Sequence, residues 1–163
     1  MAELFFEDFI VGQVFSAPRS IRVEKDEIIA FAKKYDPQFF HLDEEAARSS
    51  IFGGLVASGW LTAALTMRLL TEREAKPAGG SIGLGFDELR WPVPVRPGDE
   101  LRVESEILEV RPSGSRTDRG VVKMRTRTFN QRGQVVQELV NIALVPRRPP
   151  AGKAKGTAAR STS

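Results

Sequence analysis

The 163 residues contain a single histidine, His41, and an aspartate, Asp36, stands five positions before it with Pro37 between them. A carboxylate and an imidazole that share a water can take its proton, and imidazole exchanges protons near neutral pH. On a continuous helix, residues five apart point about 140° away from each other and could share nothing. Pro37 disfavours helical geometry at Asp36, so a helix should stop there and leave both side chains free to converge in a loop. The pair alone also fits a surface histidine beside a helix-end aspartate with no common task.

The segment after the pair narrows the choice. From Ser49 to Met67 there is no charged side chain, although 28% of the chain is Asp, Glu, Lys or Arg. The run reads as a buried helix from about Leu55 to Glu72, apolar nearly all round. Arg48 and Arg68 close it, and its serines, glycines and threonines suit a core helix better than a membrane span. Ser58, Gly59 and Thr62 are small enough for close approach of backbone or ligand. A backbone N–H at Gly59, in the first turns of such a helix, could meet a developing oxyanion; the same glycine could equally serve tight packing.

The remaining elements must position these groups. Residues 14–23 read as a strand with Pro18 at an edge or bulge. Ile28, Phe31, Ala32 and Tyr35 fall at helical spacing, with acids at the N-terminal side and Lys33 and Lys34 in the last turn. A short helix is expected from Asp43. After Gly79-Gly80 the pattern alternates with period two through Ile82–Phe86, Leu101–Ile107, Val122–Thr128 and the segment after Asn130–Gly133. Two helices early and about four antiparallel strands late make an α+β chain, with a sheet wrapped around one central helix.

Composition excludes several functions. With no cysteine and one histidine, neither disulfides nor a zinc site is expected. The glycines at 79, 80, 83 and 85 lead into a strand, which is the wrong context for a dinucleotide or phosphate loop. No Gly-x-Ser-x-Gly elbow surrounds Ser58. No cofactor is therefore expected, and no metal. The net charge of +3 divides unevenly: residues 147–163 hold five Lys or Arg and no acid, which leaves residues 1–146 at −2. We expect one domain over 1–146 and a basic, disordered tail over 147–163, with no nucleic-acid or membrane partner. The N-terminus lacks a basic region before its apolar residues, so a cytoplasmic protein is expected.

Residues 35–70 resemble the MaoC-like dehydratases and (R)-specific enoyl-CoA hydratases, which have the hot-dog fold. Asp36, His41 in YDPQFFHLD, and the Ala-Ser58-Gly59-Trp60 run carry the likeness, with FDELRWPVPVRPGDEL as a second matching stretch. The resemblance covers about residues 5–146. It implies that Asp36 and His41 hold the catalytic water at the β-carbon of a trans-2-enoyl-CoA, and that the Gly59 N–H takes the thioester oxygen. It also implies a homodimer and a CoA thioester substrate, with Gln38, Phe40, Ser58, Trp60 and Thr62 around the acyl group; Trp60, beside Gly59, is read either as core packing or as a limit on acyl length. Hydratases of this family commonly read Gly-Asp-x-Asn-Pro-Leu-His; here Tyr35, Gln38 and Phe39 replace Gly, Asn and Pro. Those departures keep two alternatives open, a hot-dog thioesterase and a non-catalytic acyl-CoA-binding subunit. Arg90, Arg96, Lys123 and Arg125 are candidate contacts for the anionic CoA moiety.

Overall fold

The computed structural model describes residues 2–72 and 75–150. Strand β1 (Ala2–Leu4) is followed by a 3-10 turn at Phe6–Asp8, β2 (Val14–Ser16) and β3 (Ile21–Arg22). Helices α1 (Lys25–Tyr35), α2 (Phe39–Leu42), α3 (Glu44–Ala47) and α4 (Gly59–Thr71) come next. Strands β4 (Ala75–Pro77), β5 (Ile82–Arg90), β6 (Glu100–Pro112), β7 (Arg119–Phe129) and β8 (Val135–Pro146) complete the chain. The main sheet is antiparallel in the order β2-β6-β7-β8-β5, with β3 also on β6, and β1 pairs with β4 in a small parallel ribbon.

Period-two alternation in β6 buries Leu101, Val103, Ser105 and Ile107 and turns their neighbours outward. Leu61, Leu65 and Leu69, four apart on α4, meet Leu101, Val103 and Val136 of the sheet in the main core. Each such leucine removed from water contributes roughly 2 kcal/mol, enough to seat the helix across the sheet.

Three expectations shift. The strand over 14–23 is broken into β2 and β3, because Pro18 cannot donate to a ladder. The central helix starts at Gly59, four residues later than expected. Leu55–Ala57 are buried but lie outside the helix, since the Val56 N–H donates to Phe40 O (3.1 Å) and the Ala57 N–H to Val95 O (2.8 Å). Nor is α4 buried all round: Trp60 and Met67 are 59% and 51% exposed on the face opposite the leucines. That open face adjoins β5, the free edge of the sheet, where Ile82, Leu84 and Phe86 are exposed.

At the far end, Arg147 Nε donates to Glu7 (2.9 Å) and Arg148 to Asp8 (2.8 Å), both in the 3-10 turn. The first residues of the expected tail are therefore strapped to the body; residues 151–163 lie outside the described residues. No helix among the described residues is long and apolar enough to cross a membrane.

Candidate active site

Helix α1 stops where the proline argument places its end. The Asp36 N–H closes the last turn on Ala32 O (3.0 Å), and Asp36 itself is at φ −150°, ψ 69°. The chain does not remain a loop as far as His41, however. It re-enters helical geometry at Phe39, so His41 sits on the short α2, turned back toward Asp36.

His41 is 6% exposed, and its Nδ1 lies 2.7 Å from Val56 O. A carbonyl only accepts, so Nδ1 carries a proton, and in the neutral ring Nε2 is left with its lone pair. Nε2 faces Asp36 Oδ2 at 3.4 Å. The Asp36 carboxylate is held from both sides: Ser58 Oγ donates to Oδ2 (2.7 Å) and Gln38 Nε2 to Oδ1 (2.8 Å). The Ser58 hydrogen bond first, then Gln38 and the nearby imidazole, outweigh burial and hold the carboxyl below its ordinary range. Gln38 thus makes a bond to the acid despite its extra methylene.

Ser58 has a second task. Its Oγ accepts the Trp60 N–H (3.3 Å), capping α4. The next residue, Gly59, is the first of the helix, and its N–H has no acceptor among the described residues. Trp91 lies directly against it, and Trp91 Nε1 donates to Gln137 Oε1 (2.8 Å). Gln137 is fully buried; its Nε2 donates to Thr66 Oγ1 (3.0 Å), which lies 2.7 Å from Thr128 Oγ1.

Asp36, His41 and Gly59 line one cavity of about 500 Å³, and so do Gln38, Phe40, Ser58, Trp60 and Thr62. Phe39 does not; it is half exposed and packs on Phe40 outside. Trp60 stands edge-on to Trp91 with ring centroids 5.5 Å apart. Sequence reasoning missed Trp91 and Gln137. The Trp-Pro-Val-Pro string was visible, but nothing in it shows that the indole ends beside Gly59. Among the cations considered for CoA, Arg96 donates to Phe52 O (2.6 Å), while Arg90, Lys123 and Arg125 lie within 4 Å of Glu88, Asp87 and Glu106.

A sheet curled over one long helix, with an acid–imidazole pair beside the helix N-terminus, defines a hot-dog protein of the hydratase and dehydratase kind. The chain belongs to the MaoC like domain family, whose pattern residues 8–128 match. A MaoC-like dehydratase from Rhodospirillum rubrum superposes with a TM-score of 0.85 at 56% identity, covering 90% of this chain and 99% of that one. The unliganded R-hydratase of Pseudomonas aeruginosa gives 0.72 at 30% identity over 90% and 88% of the two chains. The 3-hydroxyacyl-thioester dehydratase Z of Mycobacterium tuberculosis is 31% identical over 104 residues, 63% of this chain and 69% of that protein.

Proposed function

We propose that the protein hydrates trans-2-enoyl-CoA to (R)-3-hydroxyacyl-CoA and catalyses the reverse dehydration. The observation that carries this reading is His41 Nε2, turned toward a fixed carboxylate by the Nδ1 contact with Val56 O, in one cavity with a helix-terminal N–H that has no acceptor among the described residues. In hydration, Nε2 takes a proton from a water held between it and Asp36, and the oxygen bonds to the β-carbon. The electron pair of the double bond moves to the thioester oxygen, where the Gly59 N–H and the start of the α4 dipole meet the charge. His41 then returns the proton to the α-carbon as the carbonyl reforms. Asp36 orients the water and stabilises the imidazolium; with both its oxygens engaged and its carboxyl held low, it is the weaker base of the two. The scheme needs no cofactor, since CoA is part of the substrate.

A homodimer completes the proposal. The outer edge of β5 pairs with no strand among the described residues, and a two-fold copy of β5 would satisfy it while covering Ile82, Leu84 and Phe86.

Incubation with a short trans-2-enoyl-CoA tests the reaction. Loss of the conjugated thioester absorbance without release of free thiol is the expected result; thiol release would mark a thioesterase, and binding without either a passive acyl-CoA module.

A further inference from the structure

The carbonyl that meets His41 Nδ1 stands on a segment with little of its own to hold it. Gly53 and Gly54 carry no side chains, and Gly53 sits at φ +65°, in the left-handed region. Ile51, just before them, is 96% exposed, so nothing among the described residues covers that end of the segment from outside. Yet Val56 O, shortly after the glycines, lies 2.7 Å from the imidazole.

The hold comes from Val95 and Arg96, in the connection between β5 and β6. Val95 O accepts the Ala57 N–H (2.8 Å), and Arg96 Nη2 donates to Phe52 O (2.6 Å). The two contacts grip residues 52–57 at both ends, with Val56 O between them. The guanidinium also lies against Gly54, where a Cβ would meet Nη1 at 3.4 Å. Arg96 is half-buried, and among the described residues its guanidinium donates to no carboxylate. A hydrogen bond from a charged donor is roughly twice as strong as a neutral one, and here that strength is spent on loop backbone. The Phe52 ring carries the hold further. It stands edge-on to Phe40 with centroids 5.2 Å apart, and Phe40 stands edge-on to the His41 ring at 4.6 Å.

The consequence falls on the proton of His41. In the neutral ring two acceptors compete for it: Val56 O beside Nδ1, and Asp36 Oδ2, 3.4 Å from Nε2. With the proton on Nε2, imidazole and carboxylate would satisfy each other, and no lone pair would face a water. We infer that Arg96 is a positioning residue, whose guanidinium clamps the 52–57 segment so that Val56 O keeps His41 in the tautomer able to act as a base. The effect on turnover rests on the hydratase reading of the site; the effect on the ring does not.

His41 is the only histidine of the chain, so nitrogen NMR of the untagged, isotope-labelled protein gives one pair of imidazole signals, whose shifts read the tautomer. Spectra are recorded without substrate, at a pH where the ring is neutral. Arg96→Met keeps the apolar stem and removes the donors, which asks little of the packing; Arg96→Lys keeps the charge and one donor. Wild type should carry the proton on Nδ1. Arg96→Met should move the tautomer ratio about tenfold toward Nε2–H, the equivalent of one hydrogen bond. It should also lower kcat for trans-2-enoyl-CoA about tenfold, through the smaller share of competent ring and its looser orientation, with KM within about twofold. Arg96→Lys should restore most of both. Wild-type imidazole signals in Arg96→Met overturn the inference whatever happens to kcat, because lost stability alone does not move a tautomer. A wild type with its proton on Nε2 overturns it too. If the wild type hydrates nothing, the function proposed above falls by itself, and the ring signals still decide the clamp.

Discussion

The indole of Trp91 occupies the space in which any side chain on residue 59 would stand. A Cβ built on Gly59 would fall 2.6 Å from Trp91 Cε2 and 2.7 Å from Cδ2, well inside contact distance. The glycine that supplies the first N–H of α4 is therefore required for packing and not only for access to a ligand. Gly59→Ala should push either the indole or the helix start aside and misplace the N–H. Hydration should fall by about a hundredfold, as when an oxyanion donor is lost, mostly in kcat. Steady-state kinetics check this, and a change within twofold would separate Gly59 from the chemistry.

Trp91 is in turn held by Gln137, a side chain with no exposure whose amide is paired at both ends. Gln137→Leu removes the acceptor for the indole, and Trp91→Phe removes the donor. Each should lower kcat about tenfold with little change in KM, and the double variant should lose no more than either alone, because both break one link. Independent, additive losses would show that the two residues matter only for stability.

Ser58 joins two functions in one hydroxyl, donating to Asp36 and capping α4. Ser58→Ala should cost about 1 kcal/mol of stability through the lost cap, seen in thermal unfolding. It should also let the Asp36 carboxyl rise toward its ordinary range, which the pH dependence of stability reads. The sign comes from linkage: a carboxyl held low in the fold stabilises it above the unfolded value near 3.9, and that contribution is lost as pH falls through the lower folded value. The stability gap between wild type and variant should accordingly narrow in acid. A gap that stays the same in acid would show that the Ser58 hydroxyl does not hold the Asp36 carboxyl low.

How far the sequence alone reveals this arrangement depends on the range of each interaction. The end of α1 at Asp36 comes from a local backbone restriction, and the strands β5 to β8 from alternation, so both are legible directly. The start of α4 is not. Leu55–Ala57 are apolar enough to be helical, but their N–H groups are claimed by Phe40 and Val95, partners that only the assembled fold brings close. His41 on α2 and the indole over Gly59 belong to the same class. The eight residues named from the motif share one cavity because most are local to a single turn-helix segment; Trp91 reaches it from beyond the end of β5, held there by Gln137 of β8.

The free edge of β5 offers a separate test. Phe86 is 57% exposed there, and its neighbours Ile82 and Leu84 are similarly bare, an arrangement that a lone domain ordinarily avoids. Phe86→Glu should leave the fold intact, because the side chain is exposed in the single chain, yet place two like charges at a two-fold contact. Analytical ultracentrifugation should show wild type as a dimer and the variant as a monomer with an unchanged circular dichroism spectrum. A monomeric wild type would remove β5 as the interface.

The division of labour between Asp36 and His41 rests on which nitrogen holds the proton. Because Val56 O can only accept, Nδ1 is the donor and Nε2 the site at which a water proton can be taken. In the proposed scheme Asp36, already bonded to Ser58 and Gln38, contributes charge and direction. Asp36→Asn keeps an oxygen for Ser58 but removes the charge, and hydration should drop about a hundredfold. His41→Ala removes the proposed base and should cost about a thousandfold or more, within the range of general acid–base catalysis. One group taking and returning the proton also requires that the hydroxyl and the new α-hydrogen enter from the same face. Hydration in deuterated water, read by the coupling between the α- and β-hydrogens of the product, checks this. Addition from opposite faces would require a second proton donor across the cavity, and Asp36 would then have to be reassigned.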